Sequence, residues 1–276
     1  KTLDILRQLK FNFTTRSQNA FLLCASTYAP FDFLYSMGHF KQVYKWGYYP
    51  KTLYYDIEQL MDKKSNSEEV SILWAGRMLK LKHPEIAIYL AECLRARGIK
   101  FTMKIIGSGE LETEIEKSIC CKHLSGQVEL LGSMSPEKVR IYMENSDFFL
   151  FSGDFHEGWG AVLNESMNSG CVVMCSDETG AAHYLIDDGK NGFLFNRNQL
   201  DKLVYKIIAL ISNPRKRREI GIRAYETIVN LWSEKIAANR FYEWSEHVVK
   251  NEIISFENGP MSVAKMKVPK GSWWIR

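Results

Sequence analysis

No run of apolar residues in the 276-residue chain approaches the ~20 needed to cross a bilayer as a helix, which argues against a membrane span. Cysteine is sparse at six residues, and no second pair at zinc-ligand spacing completes a site around Cys120, Cys121 and His123. A disulfide framework is therefore excluded. The cysteines are expected to be reduced, structural and buried, and a reducing cytoplasm is the expected compartment. The sequence contains no Gly-x4-Gly-Lys-Ser/Thr loop, so nothing calls for ATP hydrolysis, and no Asp-x-Asp pair to hold a metal on a sugar nucleotide. Charge of one sign is missing too: 36 basic against 32 acidic residues leave +4, too little to argue nucleic-acid binding.

What is present is an alternation. Short apolar runs at 70–75, 101–106, 127–131, 147–152, 171–176 and 191–195 are rich in β-branched or aromatic residues, as buried strands are. Helical stretches at 84–97, 110–122, 136–145 and 160–169 lie between them, the third starting on Ser135 as N-cap and Pro136. The pattern predicts an α/β fold with a Rossmann-like doubly wound parallel sheet, followed by three helices at 198–212, 214–230 and 233–250. Residues 1–60 read as the remnant of a first domain, with strands near 20–26 and 42–47 around a turn-rich 28–33. The polar stretch 62–69 reads as a linker, 68–250 as the main domain and 251–276 as a tail without periodicity. The chain begins on Lys1, and the expectation is a piece of a longer protein.

Arg77 and Lys82 follow the first strand of the main domain at its carboxyl end, where open α/β sheets place ligands. An arginine fork and a lysine point charge five residues apart can hold a diphosphate; with Lys80 beside them they also fit a solvated basic turn. In EGWGAVLNESMNSG (157–170), Glu157 sits in a loop and Glu165 in the helix that follows. Gly158 and Gly160 would let a ligand approach the amides of that helix start, and the two carboxylates could accept from sugar and ribose hydroxyls. Their bland alternative is surface charge. Gly107-x-Gly109 hints at dinucleotide binding, but Glu112 holds the place of the third glycine, so no nicotinamide or flavin is expected. His156 either meets a ligand or is structural. Arg215, Lys216, Arg217 and Arg218 open a helix and are either a solvated face or an attraction to anionic membrane.

Taken in order, GR-x4-K, IIGSGE, LLGSMS, D…EGWGAVLNESMNSG and NGFLF resemble the C-terminal half of a retaining glycosyltransferase of family 4, which has the GT-B architecture of two Rossmann-like domains facing a cleft. The stretch CASTYAPFDF…YKWGYYP is similar to the interdomain region of bacterial surface-polysaccharide transferases. The resemblance implies transfer of a sugar, with retention, from a nucleotide-diphosphate-sugar donor to a glycan or lipid-linked acceptor in lipopolysaccharide or capsule synthesis. It implies no metal or cofactor, no nucleic acid, and a cytoplasmic place with peripheral contact at the inner face of the plasma membrane. It assigns the donor diphosphate to Arg77 and Lys82, the donor sugar to Glu157, the ribose to Glu165 and the base to Met134. Gly76, Gly107, Gly158, Trp159, Gly160 and Ala161 would supply donor-binding backbone. His83 stands where the family usually has glycine, and Trp159 where it has phenylalanine. The alternative is a nucleotide-sugar-binding module without turnover.

Overall fold

Six parallel strands form the central sheet of the computed structural model, which describes residues 20–35, 39–65 and 69–268, together with a few helical residues between 6 and 13. We number the strands from the first described one: β1 (Phe21–Cys24), β2 (Gln42–Lys45), β3 (Val70–Ala75), β4 (Phe101–Ile106), β5 (Val128–Leu130), β6 (Phe148–Phe151), β7 (Val172–Ser176) and β8 (Phe193–Phe195). The large sheet has the order β5-β4-β3-β6-β7-β8. The chain thus winds outward from β3 to one edge, returns to the centre at β6, and winds to the other edge. β6 and β7 are buried along their whole length, because helices cover both faces. That burial is why these strands read as continuous apolar runs.

The helices are α1 (Ala29–Tyr35), α2 (Ile57–Ser65), α3 (Glu85–Ala96), α4 (Glu112–Cys121), α5 (Pro136–Glu144), α6 (Ala161–Asn168), α7 (Ala182–Leu185), α8 (Leu200–Ile211), α9 (Pro214–Asn230) and α10 (Glu234–Val249). α3, α4 and α8 bury their apolar stripes on one face of the sheet, and α5, α6 and the Trp159–Trp232 cluster on the other. α5 begins where expected, with Pro136 in its first turn, although the Ser135 side chain makes no capping bond. No helix among the described residues is long and apolar enough to cross a membrane.

Two expectations need correction. Residues 28–33 are not a turn: most of them form α1, which connects β1 to the parallel β2. Residues 62–65 are not linker but the last turn of α2. There the ammonium of buried Lys64 donates to the carbonyls of Met143 (2.9 Å) and Ser146 (2.6 Å), satisfying the end of α5. Residues 261–264 of the tail pair with β2. The Met261 and Ala264 amides donate to Lys45 and Val43, and Lys45 donates back to Ser262, so 261–264 run beside β2 as an added strand. Tyr44, Trp244 and Met261 bury the small core beneath. The closing GSWWIR lies outside the described residues. The cysteines are free, but only Cys24, Cys171 and Cys175 are buried, while Cys120 and Cys121 are exposed.

Beyond the ends of β3, β4 and β5 the loops continue to pair: Gly76 donates to Ile106, Met78 to Ser108, and Gly107 to Gly132. Gly107 has φ +133°, and a Cβ there would fall 1.8 Å from the Gly76 carbonyl oxygen. Backbone strain and steric overlap each cost ~1–3 kcal/mol, so Gly107→Ala should lose about 3 kcal/mol in urea denaturation. Gly126→Ala, where a Cβ meets nothing within 4 Å, is the control and should be nearly neutral.

Candidate functional site

The winding direction reverses between β3 and β6, and a crevice opens at their carboxyl ends, as it must at such a switch. A cavity of about 380 Å³ lies there, lined by Gly76, Arg77, Gly107, Met134, Ala161 and Glu165 among the sequence candidates. Ile106, Val139 and Val162 give it an apolar wall, and Ser108 and Ser133, whose hydroxyls lie 2.6 Å apart, a polar rim. Gly160 caps α6 at φ +80°, where a Cβ would strike the Phe151 ring at 2.2 Å. That turn sets the start of α6, and with it Ala161 and Val162, on the cavity wall.

Burial raises the Glu165 carboxyl above the ordinary carboxylate range, and the Arg140 guanidinium partly offsets this. Arg140 itself is buried and donates to the Glu165 carbonyl (2.7 Å) and to the Lys51 carbonyl (3.0 Å). Lys82 and Glu157 are not in the cavity lining; they form an ion pair beside it, at 16% and 13% side-chain exposure. A Cβ on Gly76 would come 3.9 Å from the Lys82 stem, which fixes how near the pair lies. Trp159 turns its side chain away from the cavity: the indole is buried between Tyr184 and Trp232 and donates to Asn164 (2.8 Å). Only its backbone can face a ligand. Gly158 lies beside Gly180, whose amide donates to the Glu157 carbonyl.

One cluster escaped the sequence reading. His83 takes a left-handed conformation (φ 50°), which explains why glycine suits this position. Its Nδ1 lies 2.7 Å from Glu85 and its Nε2 3.2 Å from Asp154, while Arg197, paired with Glu178, brings Nη1 to 2.6 Å from Nε2. A neutral ring could accept from Arg197 but would give up the bond to Asp154. One carboxylate at each nitrogen favours the cation, and Asp154, then Glu85, push the His83 pKa up to about 9. Asp154 also accepts from the His156 amide (2.9 Å) and ring, so His156 is tied to this cluster. The one advance signal was His83 itself, standing where the family has glycine.

The four-cation run does not form one basic face. Arg217 donates to the end of α8 at Leu210 and Ile211, and Arg218 pairs with Glu58 and Asp62. Arg215 and Lys216 remain outward, each 3.5 Å from Glu219.

A parallel sheet of this order, with a glycine-turned helix start and cations at its switch point, defines a doubly wound domain with its crevice at the carboxyl ends of the strands. The chain belongs to the glycosyl transferases group 1 family, whose model matches residues 56–227. It is 30% identical over 160 residues to the poly(ribitol-phosphate) alpha-N-acetylglucosaminyltransferase of Staphylococcus aureus, covering 57% of this chain and 31% of that one. It is 34% identical over 125 residues to an uncharacterised glycosyltransferase of Methanocaldococcus jannaschii, covering 45% and 35%. The match thus spans about a third of the length of these relatives. S. aureus TarM, solved with fondaparinux, alpha-GlcNAc-glycerol and UDP, shares the fold at TM-score 0.67 and 23% identity, covering 81% of this chain and 43% of TarM. Anabaena HepE with UDP does so at TM-score 0.70 and 18% identity, covering 88% and 68%.

The histidine cluster makes a pH prediction. His83 has a folded pKa above its unfolded 6.5, so its contribution is complete below about 6.5 and is lost as pH rises through about 9. The stability gap between wild type and His83→Gln, from urea melts across that range, should be widest at the acid end and close toward the alkaline end.

Proposed function

We propose that the chain is the donor-binding part of a retaining glycosyltransferase of family 4, transferring a sugar from a nucleotide-diphosphate donor to a glycan or lipid-linked acceptor. The observation that carries this reading is the cavity at the switch point, with Arg77 and Glu165 in its wall and the Lys82–Glu157 pair alongside. Residues 68–250 form the nucleotide-sugar domain in this reading. Residues 1–60 belong to the acceptor-side domain, and the 251–276 tail supports them.

Breaking the bond from sugar to diphosphate builds positive charge on the sugar and negative charge on the leaving group. Fixed cations and amides aimed at the diphosphate lower that barrier most, because they need no reorganisation. Arg77, Lys82 and the α6 amides are such groups, so the proposal asks for no metal or other cofactor. Without donor, Lys82 is neutralised by Glu157; the diphosphate would draw Lys82 away and leave Glu157 facing the sugar. The acceptor would attack from the face the leaving group quits, with a phosphate oxygen taking its proton, and no protein nucleophile intervenes. A lipid-linked acceptor would bring the protein to an anionic surface, and Arg215 and Lys216 are the members of the basic run left to meet it.

Glu165 is proposed to accept from the ribose hydroxyls. A hydrogen bond to a charged group contributes ~1.5–3 kcal/mol, so Glu165→Ala should weaken UDP in calorimetric titration by roughly ten- to a hundredfold. Unchanged affinity in the folded variant would remove the assignment.

If Arg77 and Lys82 clamp one diphosphate, Arg77→Ala and Lys82→Ala should each slow turnover by roughly 10²–10³. Groups that act as a unit are non-additive, so the double variant should lose less than the two effects combined. Transfer by the full-length enzyme is the assay. Lys80→Ala is the control, and a loss as large as that of Lys82→Ala would reduce the clamp to a diffuse basic patch.

A further inference from the structure

A second cavity, of about 500 Å³, lies where the segment before residue 60, α7 and the tail meet. Two separate stretches send three lysines into its lining: Lys45 from the end of β2, and Lys265 and Lys267 from the tail. His183 and Tyr184 line it from α7, and Glu257 is its one acidic residue. Lys45 is half-buried, with its ammonium over the Tyr184 ring at 5.5 Å. Burial first, and Lys265 second, hold its pKa below the usual lysine range. Lys267 is engaged with His183 at 2.5 Å. Desolvating one ammonium and setting a second near it costs stability unless something negative joins them. A local conflict of this kind marks a site of function more often than of folding.

The cavity is linked through backbone to the loop that carries Glu157. The amide of Thr27, in its lining, donates to the Gly180 carbonyl, and the Gly180 amide donates to the Glu157 carbonyl. One residue, Gly180, therefore joins this wall to the backbone of Glu157, whose carboxylate is assigned to the donor sugar.

We propose that this cavity binds a phosphate group carried by the acceptor, with Lys45 and Lys265 as the recognising charges. The proposal rests on the glycosyltransferase reading above and adds to it the acceptor's chemical class, a phosphate ester or diphosphate. Binding brings no bond change; two ammonium groups gain an anionic partner, and the acceptor gains a fixed distance to Glu157.

The test is titration of the chain, saturated with UDP, with inorganic diphosphate, short-chain prenyl diphosphate and glycerol 3-phosphate. At least one of the three should bind, more weakly as salt rises. Lys45→Gln and Lys265→Gln should each lower that affinity at least tenfold and leave UDP affinity unchanged, whereas Arg77→Ala should weaken UDP and not the second anion. Preference for the prenyl diphosphate would assign the phosphate to a lipid carrier, and preference for glycerol 3-phosphate to a polyol-phosphate chain; either supports the site. Exposed Lys265 can be replaced without disturbing packing, so its variant decides the matter if the Lys45 variant fails to fold. Wild-type affinity in Lys265→Gln, or no anion binding at all beside bound UDP, overturns the proposal. Failure of UDP, GDP and ADP alike to bind overturns the parent reading instead.

Discussion

Two peptide planes pass within contact distance at Gly76 and Gly107, and the ligand-facing edge of the sheet depends on that approach. Because Gly107 carries no side chain, the loops after β3 and β4 can keep exchanging hydrogen bonds past the end of the strands, and Gly132 joins the loop after β5 to them. Arg77 stands on one loop, Ser108 on the next, and Ser133 and Met134 on the third. The positions of these side chains are inherited from backbone pairing rather than from contacts of their own. This is how a loop region can be as rigid as the sheet it follows.

Across the switch point the linkage is electrostatic. The 154–157 loop is anchored from the β3 side by the Asp154 amide to the Leu81 carbonyl and by His83 to the Asp154 carboxylate. Lys82 and Glu157 lie between these anchors and the cavity. Their mutual pairing spares each the cost of an isolated charge at low exposure. It also sets two cancelling charges side by side next to the cavity wall.

Much of this was legible in the sequence, and the remainder has a physical reason for being hidden. β6 and β7 announced themselves because both faces are buried, and α9 because Asn213 and Pro214 are a helix start that local chemistry dictates. The close approach of Gly107 to the Gly76 carbonyl could not be read from the Gly-x-Gly pattern, because the partner backbone lies 31 residues earlier in the chain. Trp159 could not be oriented from its neighbours, since its indole answers to Trp232 and to Gly47, where a Cβ would fall 2.4 Å from the ring. Helix α1 was obscured by Pro30 and the aromatic residues around it, and the last turn of α2 by its polar composition. The anchoring of Lys64 on α5, a sequence distance of 79 to 82 residues, leaves no local trace.

The strand that 261–264 adds beside β2 has a consequence in time. Tyr44 bridges Val263 across about 220 positions of chain. A ribosome adds ~5–20 residues each second, so β1 and β2 wait on the order of ten seconds or more for their partner strand. During that interval the edge of β2 and the Tyr44 side chain are without their final cover. The six-stranded sheet, complete by Phe195, can already be closed by then. The β1–β2 segment and the 261–264 segment therefore mature together, after the sheet that lies between them in sequence.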